Sequence, residues 1–118
     1  MNQRNTILLV EDEENLGLTL KEYLESNGKD CHLAQTVKEA RELYQQLSPN
    51  IILMDVGLPD GNGIDLAKEF RAINNNINLI FLSAQNDPDI RLEGLETGAS
   101  DYITKPFALK ELMLRLER

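Results

Sequence analysis

Ile51-Ile52-Leu53-Met54-Asp55-Val56-Gly57-Leu58-Pro59-Asp60-Gly61 is the stretch that decides the fold. Four large apolar residues run into a single carboxylate, the chain then breaks into turn formers, and Ser48-Pro49-Asn50 closes the other end. A run of that length between such flanks reads as a strand buried on both faces, the kind found in parallel sheets covered by helices. Asp55 then stands at the rim of the sheet. In open parallel sheets ligands bind beyond the carboxyl ends of the strands, which makes an aspartate there a candidate for chemistry. Aspartate is also a common turn former, so the segment alone leaves open that Asp55 only ends the strand.

Upstream, Thr6-Ile7-Leu8-Leu9-Val10 reads as a second doubly buried strand and runs straight into Glu11-Asp12-Glu13-Glu14. Leu16, Leu20, Tyr23 and Leu24 recur at helical spacing and Asn27-Gly28 supplies a stop, predicting a helix over 14–27. Residues 30–34 form a weaker strand. Thr36-Val37-Lys38-Glu39 is a capping box opening a helix striped by Val37, Ala40, Tyr44 and Leu47. Downstream of Asp55, a helix is expected with Ile64, Ala67, Phe70 and Ile73 on its buried stripe. Asn74-Asn75-Asn76 makes a turn before a strand over 77–82, which ends in Ser83-Ala84. Asp87-Pro88 starts a fourth helix, which Gly94 weakens by about 1 kcal/mol relative to alanine; it should be the most mobile helix. Gly98 ends it, residues 100–104 form a short strand, Lys105-Pro106 breaks the chain, and Leu109, Leu112, Met113 and Leu116 stripe a last helix. Strands alternating strictly with helices predict an α/β fold, a three-layer doubly wound parallel sheet with right-handed crossovers.

With 118 residues the chain is one domain, large enough to bury a proper core without staples. Its net charge of -8 argues against this domain gripping nucleic acid by itself, because phosphate binding needs a basic surface. Cys31 is the only cysteine, so no intramolecular disulfide or cysteine-rich metal site can form, and a cytoplasmic location is expected. The polar start Met1-Asn2-Gln3-Arg4-Asn5 leads into too few apolar residues for a signal-peptide core or a membrane span.

The carboxyl-end rim collects the residues just past each strand: Glu11 and Asp12, Asp55, Ser83 and Lys105. Carboxylates brought that close repel by about 4 kcal/mol per pair at 4 Å and an effective dielectric near 20, so a cation must offset them. Lys105 is one candidate. A hard divalent ion is another, and oxygen ligands in a partly hydrated site suit Mg²⁺. An anionic phosphoryl group could then approach Asp55, since a carboxylate can form an aspartyl phosphate. Phosphoryl transfer needs mainly positioning and charge neutralisation, which Mg²⁺, Lys105 and the Ser83 hydroxyl supply without a general base.

Glu11-Asp12, Asp55, Ser83-Ala84 and Asp101-Tyr102-Ile103-Thr104-Lys105-Pro106-Phe107, in that order, resemble the receiver domain of bacterial two-component response regulators, and the likeness covers essentially the whole chain. The resemblance implies a flavodoxin-like fold with strand order 2-1-3-4-5 and phosphorylation of Asp55 by the phosphohistidine of a sensor histidine kinase. It implies that Asp12, Asp55 and the carbonyl of Gly57 hold Mg²⁺ directly, with Glu11 acting through water. Ser83 resembles the switch hydroxyl, Lys105 the phosphoryl clamp, Tyr102 the aromatic that swings inward on activation, and Lys105-Pro106 the family's cis peptide. Such a domain catalyses its own phosphorylation and dephosphorylation and is no metabolic enzyme. Glu11 stands where many members have aspartate and Ser83 where many have threonine. Neither change should abolish the site, and Val56, Gly57, Ala84 and Gln85 flank the pocket where the lifetime of the acyl phosphate is set.

A flavin carrier of the same topology would need anion-friendly residues after the first strand, where Glu11-Asp12-Glu13-Glu14 repels phosphate. A haloacid-dehalogenase-type phosphatase would need a second acid where Gly57 stands. Glu13 and Glu14 read as first-turn residues favouring the helix dipole, and Cys31 and His32 as packing residues remote from the rim. Arg91, Asp101, Glu111 and Arg115 resemble the dimer face of the OmpR/PhoB class, with intermolecular pairs Arg91–Glu111 and Asp101–Arg115 and apolar neighbours Leu92, Leu95 and Leu112. Glu96 and Glu117 depart from the class, which usually has a base opposite the first, and should weaken that pairing. The amphipathic pattern still runs at Arg118 without a stop signal, implying an effector domain after 118; in the OmpR/PhoB class this is a winged-helix DNA-binding domain. The alternative is a stand-alone receiver acting by protein–protein interaction.

Overall fold

The computed structural model describes residues 5–84 and 87–117. Gln85, expected beside the pocket, lies outside the described residues, as do Met1 to Arg4 and Arg118. Strands β1 (Thr6–Val10), β2 (Asp30–Ala34), β3 (Ile51–Asp55), β4 (Asn78–Ser83) and β5 (Asp101–Thr104) pair in parallel in the order β2-β1-β3-β4-β5. This is the predicted flavodoxin-like order, with β3 central and all its residues buried. The helices are α1 (Glu14–Ser26), α2 (Val37–Leu47), α3 (Gly63–Ile73), α4 (Pro88–Glu96) and α5 (Leu109–Leu116).

Alternation along the strands divides the core in two. Leu8, Val10, Ile52, Met54, Leu79 and Phe81 face one side, where α2 and α3 bring Val37, Ala40, Tyr44, Ile64, Ala67 and Phe70 and α4 adds the half-buried Ile90. Ile7, Leu9, Ile51, Leu53, Ile80 and Leu82 face the other, covered by Leu20 and Leu24 of α1 and by Leu112, Met113 and Leu116 of α5. Every strand between two helix layers must be apolar on both faces. The near-continuous apolar runs of β1 and β3 follow from that requirement.

Two expectations shift. Ile73 is 68% exposed, while Leu66, left off the expected stripe, is buried. Steps of three residues each fall about 60° short of a full turn, so three of them carry Ile73 about 180° round from Ile64, to the margin of the buried arc. Gly94 does more than weaken α4. It is buried, and a Cβ there would sit 3.2 Å from both Phe81 Cδ2 and Tyr102 Cδ2, so its bare backbone sets how closely α4 approaches the sheet.

The loop after β3 folds back on itself. Gly57–Leu58 pairs antiparallel with Gly61–Asn62 outside the main sheet, and the Gly63 amide donates to the Val56 carbonyl at 2.7 Å. Asn62 then caps α3 by accepting from the amides of Ile64 and Asp65 at 2.7 and 3.3 Å. The loop is thereby fixed directly behind Asp55.

Candidate functional site

The strand ends bring the expected side chains to one rim. The Glu11 amide donates to the Ala34 carbonyl at 2.9 Å, extending the pairing of β1 with β2 and turning the carboxylate inward, where it is 1% exposed. On the far side, the Lys105 amide donates to the Ser83 carbonyl at 2.8 Å, and the Lys105–Pro106 peptide is cis. Lys105 Nζ then lies 2.5 Å from Glu11 Oε1 and 3.1 Å from Asp55 Oδ2, joining residues from three strand ends. Asp55 and Ser83 are buried, and Asp12 is exposed.

Burial pushes the Glu11 carboxyl up to about 7, against the hydrogen bonds it receives from Lys105 and the Glu13 amide. Burial also works to lower the Lys105 ammonium, but the Glu11 hydrogen bond and the charges of Asp55 and Glu11 outweigh it and hold the group above its ordinary range. The lysine therefore stays charged between the two carboxylates.

Glu11, Asp12 and Asp55 each offer a carboxylate oxygen within 4.8 Å of the others, an acidic cluster able to hold a metal ion. The donors are all oxygen, and one ammonium cannot neutralise three carboxylates, so a hard divalent cation fits. Glu11 already uses Oε1 on Lys105 and Oε2 on the Glu13 amide. Asp55 is engaged likewise, with Oδ2 on Lys105 and Oδ1 facing the Gly57 amide, while Asp12 is exposed. Gly57 is exposed at the start of the loop, its amide a long 3.4 Å from Asp55 Oδ1.

Away from the carboxylates, Tyr102 is buried in this structure, tilted against Phe81 with ring centroids 6.0 Å apart. The Arg91 guanidinium lies 5.5 Å over its ring. Arg115 bonds Asp101 at 2.5 Å and Glu111 at 3.2 Å within the chain. Leu92 and Leu95 are exposed, but Leu112 is fully buried in the α5 core and is not available on the face where it was expected. Cys31 is buried in the core against α1, and burial pushes its thiol up to about 12, while the half-buried His32 pairs with Asp30 at 3.0 Å near the start of the outer strand; neither is at the rim.

Two contacts have no local sequence signal. Asp60, read as a turn residue, accepts from the amides of Val37 and Lys38 at 2.7 and 3.2 Å and so caps α2 from 23 residues away. Arg71 donates to the carbonyls of Asn75, Ile77, Thr97 and Gly98, tying the end of α3 to the end of α4.

Fold and rim together define a doubly wound α/β protein whose carboxyl edge carries an acidic cluster clamped by one lysine. The response regulator receiver domain family matches residues 7–117, and the chain belongs to that family. It is 40% identical over 117 residues to the transcriptional regulatory protein RprY of Bacteroides fragilis, covering 99% of this chain and 50% of the relative. To the phosphate regulon transcriptional regulatory protein PhoB of Pseudomonas aeruginosa it is 38% identical over 114 residues, covering 95% and 50%. The chain thus spans about half the length of these curated relatives. Among solved structures, the non-phosphorylated HemR receiver domain from Leptospira biflexa superposes with a TM-score of 0.92 at 45% identity, covering 98% of this chain and 93% of that one. No helix among the described residues is long and apolar enough to cross a membrane.

Proposed function

We propose that this domain is the phosphorylation-dependent switch of a two-component system, with Asp55 as the phosphoacceptor. The observation that carries the reading is the bridge from Lys105 Nζ to Glu11 and Asp55 beside an all-oxygen acidic cluster. A carboxylate oxygen of Asp55 attacks the phosphorus of a kinase phosphohistidine; the P–N bond breaks and its electron pair stays on the imidazole. Lys105 follows the charge from the Asp55 carboxylate to a phosphoryl oxygen. Asp12, Asp55 and the Gly57 carbonyl would hold Mg²⁺, with Glu11 acting through water; bound there, the ion neutralises the carboxylates and orients the phosphoryl oxygens. An apolar groove of about 400 Å³ lined by Leu16, Ala84, Pro106, Phe107 and Leu109 opens beside Lys105, which suits approach by a protein donor in the cytoplasm.

An Asp55→Asn variant should incorporate no phosphate from acetyl phosphate and Mg²⁺ while the wild type does, read by intact-protein mass. Labelling of the variant at the wild-type rate would overturn the assignment.

Phosphorylation adds roughly -1.5 to -2 charge on Asp55 at the end of β3, drawing the Ser83 hydroxyl at the end of β4 toward it and altering the packing of Tyr102 beneath α4. The α4–β5–α5 face then pairs two copies through Arg91 with Glu111 and Asp101 with Arg115. Because Arg115 already bonds Asp101 and Glu111 in the single chain, dimerisation exchanges ion pairs more than it adds them. Exposed pairs contribute about 0 to 1 kcal/mol each, so Leu92 and Leu95 must supply most of the affinity. Sedimentation with beryllofluoride should show a modest monomer-to-dimer shift that Arg91→Glu weakens and Glu111→Arg added to it restores. Full dimerisation of the single swap would place the interface elsewhere. The output proposed is transcription through a fused DNA-binding domain, favoured over a stand-alone receiver because the relatives named as transcriptional regulators are about twice this length.

A further inference from the structure

We infer that Asp60 is a positioning residue for the metal site, acting through the loop that carries Gly57; the inference rests on the Mg²⁺ site proposed above. Helix α2 begins with amides that its own sequence satisfies only in part. Thr36 Oγ1 accepts from the Glu39 amide at 3.0 Å, and Glu39 reaches back past Thr36 to the Gln35 amide at 2.9 Å. The Val37 and Lys38 amides are left to the two oxygens of Asp60, one each. A carboxylate is favoured there by the helix dipole, and these bonds hold its pKa below the ordinary range.

The partner that completes the α2 cap sits at the tip of the loop after β3, between the paired segments Gly57–Leu58 and Gly61–Asn62. Gly61, next to it, is pressed so close to α2 that a Cβ would lie 2.9 Å from Val37 Cγ2. Asn62 fixes the other end of the loop on α3, and the Val56–Gly63 bond closes its base. Gly57 pairs with Asn62 inside this frame. Its own freedom is large, because as an exposed glycine it has no side chain to hold it. The orientation of the Gly57 carbonyl is therefore set by a frame whose attachment to α2 is Asp60. Outer contacts of this kind typically change metal affinity about 10- to 100-fold, and one acting through a loop should give less. Linkage makes the effect reciprocal: an ion that fixes the loop also strengthens the α2 cap.

The test titrates MgCl₂ into the ¹⁵N-labelled chain and follows the amides of Gly57, Val37 and Lys38, with thermal midpoints measured in EDTA. Asp60→Ala should weaken Mg²⁺ binding by about 3- to 10-fold and abolish the Mg²⁺-dependent shifts at Val37 and Lys38. Asp60→Asn, which keeps one acceptor, should fall between the two and carries the test if the alanine variant does not fold. Thr36→Ala removes a cap bond of the same helix without touching the loop; it should lower the midpoint and leave Mg²⁺ affinity unchanged. Wild-type affinity in Asp60→Ala, or equal weakening by Thr36→Ala, would reduce Asp60 to an ordinary helix cap. Absence of any Mg²⁺ response in the wild type would instead remove the proposed metal site itself.

Discussion

Helices α2 and α4 cover the same face of the sheet and are held in different ways. The first three amides of α2 are bonded to Asp60 and Thr36, and the helix buries Val37, Ala40 and Tyr44. It is further joined to α3 by a stack of Tyr44 on Phe70, centroids 4.3 Å apart, and by the Arg41–Glu69 ion pair. By contrast, α4 caps itself with Asp87, buries only Gly94, and leaves Leu92 and Leu95 exposed. Arg91 rests on the Tyr102 ring, and Arg71 holds the far end through the carbonyls of Thr97 and Gly98. Elements with few buried apolar contacts are the ones that shift at low free-energy cost. The β3 side of the rim therefore holds Asp55, the proposed acceptor, in place, and the β4 side, pinned at the end remote from the rim, is free to respond.

The sharpest way to break this contrast is Gly63→Ala. A Cβ there would lie 2.0 Å from the Asp55 carbonyl oxygen and 2.9 Å from its carbon, and backbone at the end of a central strand cannot move aside as a side-chain tip can. Overpacking of this severity should destabilise by about 3 kcal/mol or more, read as a lower denaturant midpoint at unchanged slope. Wild-type stability would mean that the loop behind Asp55 yields, and the rigid side of the comparison would be lost.

A smaller effect is expected at Ser83, which ends β4 on the responsive side. Ser83→Ala removes only the hydroxyl and none of the carboxylates, so Mg²⁺ titration should be nearly unchanged. The phosphorylation-dependent shift of the Tyr102 ring resonances should fall to a small fraction of its wild-type size. Equal shifts in both proteins would mean that the signal reaches α4 by another route.

The difference between the two sides also explains how much the sequence alone disclosed. Apolar runs such as Thr6–Val10 and Ile51–Met54 are legible because a doubly covered strand has no polar face. The rim is legible because topology places everything after a strand at one edge, which is how Glu11, Asp55 and Lys105 could be grouped although Lys105 and Glu11 are 94 residues apart. The Asp60 cap and the Arg71 clamp were illegible. Both join side chains to backbone groups of other elements, and backbone groups carry no sequence signature. The family resemblance pairs Arg115 with Asp101 of a second copy, and its bonds to Asp101 and Glu111 within the chain depend on rotamers that spacing does not specify.

Gly94→Ala should give the smallest change, and it separates packing from helix propensity. Alanine favours the helix by about 1 kcal/mol over glycine, which alone predicts stabilisation. Against that, the new methyl would meet Phe81 Cδ2 and Tyr102 Cδ2 at 3.2 Å, tight contacts that a shift of a few tenths of an ångström relieves. Because α4 buries so little else, it can make that shift, and the two effects should cancel to within about 1 kcal/mol. The displacement should be visible instead at Tyr102, as changed ring resonances without phosphorylation and a weaker contact with Arg91. A loss of stability comparable to that of Gly63→Ala would show that α4 is seated as firmly as the loop behind Asp55.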